Sequence, residues 1–76
     1  MDIYYELFDH SSATLLKEYD SETEAWDDLQ AFSEVHGIES LAGLALLRVT
    51  NKVPKLVAMD ADLIERVQRR QAISLA

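Results

Sequence analysis

The sequence predicts an α+β fold in the order ββαββα, with one four-stranded antiparallel sheet and two helices packed on one face. Three observations lead to this prediction: an alternating apolar pattern at residues 3–9, a helix-capping signal at residue 21, and a second strand–strand–helix run that begins at residue 44. Two consecutive ββα units of similar size favour one shared sheet. All 76 residues are expected to form a single small domain, in which residues 71–76 dock on the surface or fray.

The first two strands are predicted by alternation and by turn residues. Ile3–Asp9 alternates, and because aromatic residues lie on both of its faces, neither face needs to be fully exposed to water. Residues 9–14 are rich in turn formers, and Leu15–Tyr19 has the composition of a returning strand. These two segments are therefore expected to form a β-hairpin.

The first helix is marked at both ends. Ser21 and Glu24 form the S-x-x-E capping box that starts a helix, and Gly37 ends it after His36, because glycine readily takes the left-handed cap conformation. With 3.6 residues per turn, the stripe expected to face the core consists of Ala25, Leu29, Phe32 and His36. Trp26 flanks this stripe, where it either covers the edge of the core or remains available to a partner.

The second half of the chain predicts another hairpin. Residues 38–43 connect it to the helix with one helical turn, and Leu44–Thr50 is a strand apolar enough to be central in the sheet. A turn at residues 51–54 leads to a fourth strand at residues 55–59. Pro54 has no amide hydrogen to donate to a neighbouring strand, so it is expected at a strand start or on an edge.

Asp60 is expected to cap a second helix from about residue 61 to Arg70. Towards its C-terminal end this helix carries three clustered arginines, Arg66, Arg69 and Arg70. Three uses of the cluster remain open: compensation of the helix dipole together with neutralisation of the acidic first helix, a charged rim around a protein interface, or contacts with nucleic-acid phosphates. Three arginines make few phosphate contacts unless a dimer doubles their number.

Charge is distributed unevenly along the chain. Residues 1–47 contain eleven acids and one base, whereas residues 48–76 contain six bases and three acids, which together give the net charge of −7. An acidic balance disfavours loose binding to nucleic acids and to anionic membranes. An outward acidic row on the first helix and just beyond it, with Trp26 beside it, is predicted to bind a basic protein. This row consists of Asp27, Asp28, Glu34 and Glu39.

The sequence contains none of the patterns that mark catalysis, metal binding or cofactor binding. It has no cysteine, which excludes disulfides and thiolate metal sites, and its two glycines leave no phosphate-binding loop of the usual kind. Asp9, His10 and Ser11 are consecutive and cannot converge as a catalytic triad, and the acidic run at residues 20–28 lacks the central glycine of a calcium loop. We therefore expect no enzyme, no metal and no cofactor.

Location and assembly follow from size and hydropathy. Apolar runs reach only four residues, as in Leu44–Leu47, and the first residues show neither the basic nor the apolar region of a signal peptide. A cytoplasmic protein without a membrane span is expected. A homodimer is also expected, because small domains without disulfides often complete their core by oligomerising.

Several segments together resemble a group of short uncharacterised bacterial proteins. They are Tyr5–Asp9, Leu15–Leu16, Tyr19–Ala25, His36–Gly37, Leu44–Leu46 and Arg48–Val49. In that group a strand, a D-[ST]-x-x-E-A turn and a helix precede a second hairpin; the resemblance covers most of residues 4–59 and implies no activity. The turn at residues 20–25 is also similar to the T-x-x-E-A turn of HicB-type antitoxins. This chain lacks their P-D-x-P-G-C segment and any helix-turn-helix or ribbon-helix-helix addition.

The sequence thus leads to two functional hypotheses. The first is a non-catalytic protein-interaction module, comparable to an antitoxin, an inhibitor or an adaptor, that engages a basic partner through its acidic helix face. The alternative is a weak nucleic-acid-binding dimer that uses Arg66, Arg69 and Arg70.

Overall fold

The computed structural model describes residues 2–75 and confirms the α+β fold in the order ββαββα. The strands are β1 (Ile3–Asp9), β2 (Thr14–Tyr19), β3 (Leu44–Thr50) and β4 (Val53–Met59). The helices are α1 (Glu22–His36), a short 3₁₀ helix (Ile38–Leu41) and α2 (Asp60–Leu75). The predicted helical turn between the two ββα units is therefore present as the 3₁₀ helix.

The four strands form one antiparallel sheet in the order β2-β1-β3-β4, which confirms that β3 is a central strand. Both outer strand pairs contain an irregularity. The register of β1 against β2 shifts between Leu7 and Phe8, and that of β3 against β4 shifts between Leu46 and Leu47. Pro54 lies in β4, an edge strand, as expected for a residue without an amide hydrogen.

The core lies between the sheet and the two helices. Its largest fully buried side chains are Leu29, Leu41, Leu46, Leu63 and Val67, contributed by α1, the 3₁₀ helix, β3 and α2. Helix α1 contacts β1 and β2, helix α2 contacts β3 and β4, and the two helices contact each other. Each buried leucine contributes about 1.5–3 kcal/mol relative to an exposed one, so a few such residues account for much of the stability of a small domain.

Helix α1 begins and ends as predicted, but the face that it buries differs from the predicted stripe. The Ser21 side chain accepts a hydrogen bond from the Glu24 amide at 3.2 Å, which is the predicted N-cap. The buried side chains of the helix are Ala25, Trp26, Leu29 and Ser33. Phe32, 43% exposed, and His36, also exposed, do not face the core; their rings contact each other with centroids 4.5 Å apart.

The physical reason for this rotation is the hydrogen bonding of two polar groups. The Ser33 hydroxyl donates to the Gln30 carbonyl at 2.8 Å and accepts from Gln71 Nε2 of α2 at 3.1 Å, so burial leaves it no unmet bond. The Trp26 indole is buried because its N–H donates to Glu22. The helix therefore turns these two residues inward and leaves Phe32 at the surface.

The start of β4, the end of α2 and the conformation of Gly37 also differ from the prediction. Strand β4 begins at Val53 because the hairpin turn needs only Asn51 and Lys52, both with positive φ as two-residue turns require. Helix α2 continues through Leu75, so the expected tail is helical as far as it is described; Ala76 lies outside the described residues. Gly37 has φ +91° and ψ +150°, so it ends α1 with a positive φ outside the left-handed helical region.

Candidate interaction surfaces

The predicted acidic row on α1 is partly neutralised within the protein. Asp27 Oδ1 accepts from Arg70 at 2.7 Å, and Asp28 Oδ2 accepts from the Tyr19 hydroxyl at 2.5 Å and from Lys17 at 3.4 Å. Burial and the hydrogen bond to Asp28 raise the pKa of Tyr19 well above its ordinary value. Glu34 and Glu39, by contrast, are exposed and form no ion pair with the described residues.

Trp26 is a core-edge residue rather than an exposed contact. Only 8% of it is accessible, and its indole nitrogen donates to Glu22 Oε2 at 3.0 Å. The other Glu22 oxygen, Oε1, accepts from the Tyr5 hydroxyl at 3.4 Å. Glu22 therefore holds the start of α1 against β1, and Trp26 lies at the edge of the core, the first of the two positions that the sequence left open.

Each arginine of the predicted cluster has a carboxylate partner. Arg66 pairs with Asp62 and Arg69 with Glu65, both one turn away on α2, while Arg70 reaches Asp27 of α1. The two helices thus lie side by side, as the first of the three sequence-based interpretations requires. Such exposed pairs contribute little stability individually, about 0–1 kcal/mol, but they reduce the positive charge that the cluster presents.

The remaining charge is strongly segregated. Five of the fourteen acids have a basic partner, including Asp60 with His10, which leaves nine acids without an ion pair to the described residues. All nine lie at or before Glu39 in the chain. Four of the seven lysines and arginines are paired, and the three that form no ion pair with the described residues are Arg48, Lys52 and Lys55, all on the β3–β4 hairpin. The charges without an ion pair are therefore more completely separated along the chain than the charges of the whole sequence.

Four of the nine acids surround one open groove of about 540 Å³ at the end of β1 and β2, here called the acidic groove. Its lining is Asp2, Ile3, Tyr4, Glu18, Tyr19, Asp20 and Glu24. Desolvation, followed by the negative charges of Glu6 and Glu18, raises the pKa of the Tyr4 hydroxyl. The four carboxylates of the lining favour a cation in the acidic groove and disfavour an anion.

The sheet face that points away from the helices, here called the open face, is largely apolar. Directly opposed residues of antiparallel strands point to the same side, so the pairing assigns to this face Tyr4, Glu6, Phe8, Leu15, Glu18, Ala45, Leu47, Val49, Pro54, Leu56 and Met59. Ala45 and Val49 are only 5% and 3% exposed, yet they lie outside the core cluster beneath the helices, whereas Leu56 is 55% exposed. The larger side chains around Ala45 and Val49 therefore form an apolar layer that no helix covers.

Glu6 and Glu18 are the only charged residues among those that the strand pairing assigns to the open face. They oppose each other directly across β1 and β2, and neither forms an ion pair with a residue of the described range 2–75. Like charges in such a position, with Cβ atoms about 4.5–5.5 Å apart, are destabilising. The open face thus combines an apolar layer with an uncompensated pair of carboxylates.

Sequence reasoning missed the open face, although two signals pointed towards it. Aromatic residues occupy both sides of β1, at Tyr4 and Phe8 as well as Tyr5, and the run Leu44–Leu47 is apolar on both sides of β3. Both strands were therefore suited to burial on two faces. Which face the helices cover depends on the tertiary arrangement, and alternation alone does not show it.

The residues around His10 form a structural junction. Asp60 Oδ1 lies 2.7 Å from His10 Nε2 and accepts from the Gly43 amide at 2.9 Å, and together these contacts lower the pKa of Asp60. The Ser11 hydroxyl donates to Asp9 at 2.6 Å instead of facing His10. This geometry joins the β1–β2 turn to the start of α2.

Neither a metal centre nor a membrane span is found in the described part of the chain. Within residues 2–75, no group of three or more His, Asp or Glu side chains is placed to hold a metal ion. No helix in this range is both long and apolar enough to cross a bilayer. Comparisons with protein-family models, with curated proteins and with solved structures found no match.

Proposed function

We propose that this protein is a non-catalytic interaction module that engages a basic partner protein, as an antitoxin, an inhibitor or an adaptor does. The observation that supports the proposal is the segregation of charge: nine acids have no ion pair within the described residues, and four of them line a single groove. A concentrated field of one sign accelerates encounter with an oppositely charged protein and suppresses unsuitable partners.

We place the centre of the proposed binding surface elsewhere than the sequence-based hypothesis did. Asp27 and Asp28 already have partners inside the protein, so a new partner would have to displace Arg70 or Lys17. Glu34 and Glu39 remain accessible and can contribute long-range attraction. The acidic groove has the higher local density of carboxylates, and we assign it the larger role.

The nucleic-acid alternative receives less support. Binding to phosphates draws its affinity from cations that release counterions, and Arg66, Arg69 and Arg70 each already contact a carboxylate. The nine acids would also repel a polyanion. The homodimer expected from the small size of the chain stays a prediction, and the properties of the open face bear on where such a dimer could form.

Affinity purification from the source cell tests the proposal when it is combined with charge variants. The tagged wild-type chain is expected to recover a basic protein in stoichiometric amount, and raising the salt concentration should release it. Glu18→Gln/Glu24→Gln should weaken recovery by about tenfold or more, since charges at such interfaces are strongly coupled. Asp62→Asn/Glu65→Gln removes the same charge on α2 and should leave recovery nearly unchanged. Recovery of only the chain itself, or equal recovery with both variants, would contradict the proposal.

A further inference from the structure

We propose that the open face is the docking site for an amphipathic basic segment of the partner, whose apolar side chains cover the sheet while a lysine or arginine inserts between Glu6 and Glu18. This inference rests on the proposed function and names the surface and the partner chemistry that it uses. It is carried by the strand pairing, by the burial pattern and by the charges of the open face.

The apolar part of the open face is continuous across the sheet. Phe8, Ala45 and Met59 form one row across β1, β3 and β4, and Leu47 and Leu56 lie side by side in the row next to it. Four strands about 4.8 Å apart, three of seven residues and one of six at about 3.4 Å per residue, span roughly 19 Å by 20–24 Å. This area suits one helix of about sixteen residues at 1.5 Å per residue, or a pair of strands. A contiguous apolar face that no helix covers is typical of an interaction site.

The charges of the open face decide between possible occupants. Glu6 lies on a central strand, so any cover over the middle of the sheet also covers its carboxylate. Removing a carboxylate from water without a counter-ion costs roughly several kcal/mol. This cost cancels the free energy gained by burying the nearby leucines. A partner that presents a cation at this point avoids this loss and also relieves the repulsion between Glu6 and Glu18.

A second copy of the chain does not meet this requirement. The strand pairing assigns no lysine, arginine or histidine to the open face, so the same face of a second copy supplies no cation to Glu6 and Glu18. A face-to-face dimer would cover four carboxylates without a cation from either face. We infer that the open face receives a different protein, and that the homodimer expected from the sequence would need another surface.

The acidic groove extends the same site beyond the apolar layer. Tyr4 and Glu18 belong both to the groove lining and to the open face, so the two surfaces are continuous. Asp2, Asp20 and Glu24 then lie beside one end of the docking area. A segment whose apolar residues are flanked by several bases fits this combination, with one base at Glu6 and Glu18 and others in the groove.

Three synthetic peptides of equal length test this inference by nuclear magnetic resonance on the isotopically labelled chain. The first alternates leucines with lysines in an amphipathic pattern, the second replaces its lysines by glutamates, and the third replaces its leucines by serines. The first peptide is expected to shift the amide signals of Tyr4, Phe8, Leu47 and Val49. The second should not bind. The third should bind at least about tenfold more weakly and shift mainly the groove residues, because it has no apolar anchor.

Matched variants separate the docking site from general attraction. Glu6→Gln/Glu18→Gln should weaken binding of the leucine–lysine peptide by about tenfold or more, whereas Glu34→Gln/Glu39→Gln, which removes the same charge elsewhere, should change it less than about twofold. Circular dichroism of each variant checks that the fold is retained, and Glu6→Gln/Glu18→Gln is expected to be no less stable than wild type.

The possible failures have different meanings. If the leucine–lysine peptide binds but shifts only α1 or the groove, the docking site is wrong while a basic partner remains possible. If no lysine-containing peptide binds at low salt, the proposed function fails as well. If the same open-face signals shift with protein concentration alone, a second copy is the occupant and the inference is overturned.

Discussion

The junction at Asp60 shows how a single residue is held by its surroundings. Asp60 has φ +50°, a conformation that aspartate and asparagine tolerate better than most residues. One of its oxygens meets both His10 and the Gly43 amide, so its ionised form is stabilised from two separate loops. Three segments that are distant in the sequence therefore depend on one carboxylate.

Acid should weaken this junction. Contact with His10, followed by the Gly43 hydrogen bond, lowers the pKa of Asp60 below its ordinary 3.8, and hydrogen bonds from Ser11 and Ser12 lower the pKa of Asp9. A lowered folded-state pKa contributes stability above the unfolded value and loses it as pH falls through the folded value. Stability should therefore decline as pH drops below about 4. Asp60→Asn should lower the melting temperature modestly at pH 7 and flatten the decline in acid.

Thermal unfolding followed by circular dichroism between pH 2.5 and pH 7 measures this effect. Asp62→Asn is the matched control, because it removes a carboxylate from the same turn of α2 without touching His10. If both variants show the same acid profile as wild type, the junction does not contribute to acid stability.

At the residue scale, the sequence predicted the capping Ser21 and the edge position of Pro54, because each follows from chemistry within a few positions. It misplaced Phe32, because hydrophobicity alone ranks phenylalanine above Ser33 for burial. In the structure Ser33 is buried instead, and its hydroxyl accepts a hydrogen bond from Gln71, which lies 38 positions later in the chain. A contact between residues so far apart in the sequence leaves no local pattern by which it could be predicted.

At the element scale, the contact between α1 and α2 includes a charged bridge. Arg70 of α2 donates to Asp27 of α1 at 2.7 Å, and the Arg70 side chain is one-third exposed. The bridge is therefore only partly screened by water. It joins α1 to α2, which are also linked by the hydrogen bond from Gln71 Nε2 to the Ser33 hydroxyl at 3.1 Å.

A double-mutant cycle on Asp27→Asn and Arg70→Met should give a coupling energy of about 0.5–1 kcal/mol, since the pair is partly exposed. Urea denaturation of the wild type, the two single variants and the double variant provides the four free energies of unfolding. Glu65→Gln with Arg69→Met is the matched cycle within α2, where a coupling of about 0.3–0.5 kcal/mol is expected for an i,i+4 pair. Equal couplings in the two cycles would show that the interhelical bridge adds nothing beyond a local pair.

The elements themselves were predictable, because each has a local cause. Alternation indicated β1, and the capping box indicated the start of α1. Asp60 was expected to cap α2, but it is the first residue of that helix and its carboxylate contacts His10 and the Gly43 amide. The end of α2 was missed because the apolar stripe fades after Val67, while helix propensity and the contact of Gln71 with Ser33 carry the helix further. Propensity and tertiary contact therefore outweighed periodicity at that end.

At the scale of the whole molecule, the two-layer arrangement gives neighbouring leucines opposite roles. Leu46 is completely buried between β3 and the helices, whereas Leu47 lies on the open face and is only partly covered. Leu46→Ala should cost about 2–5 kcal/mol, a large part of the stability of a small domain. Leu47→Ala should cost less than about 1 kcal/mol in the isolated chain.

Urea denaturation of both variants at low protein concentration checks this difference. A cost at Leu47 as large as that at Leu46 would mean that the open face is already packed against something in the isolated protein. The two layers were predicted from the sequence, but the apolar character of the outer surface was not. Counting apolar residues along β3 does not show which of them a helix will cover.

The irregular pairing in both outer ladders has a consequence for how the protein behaves at high concentration. A regular edge strand is a template, because every chain that adds to it creates a new edge of the same kind, and fibres grow in this way. Here β2 and β4 each depart from regular register, and Pro54 removes a donor from β4, so neither edge can propagate such growth readily. Docking on the sheet face, in contrast, stops after one partner has bound, because the bound partner covers the face and creates no new face of the same kind. The docking proposed for the open face would therefore end at a single complex, whereas growth from a regular edge strand would continue.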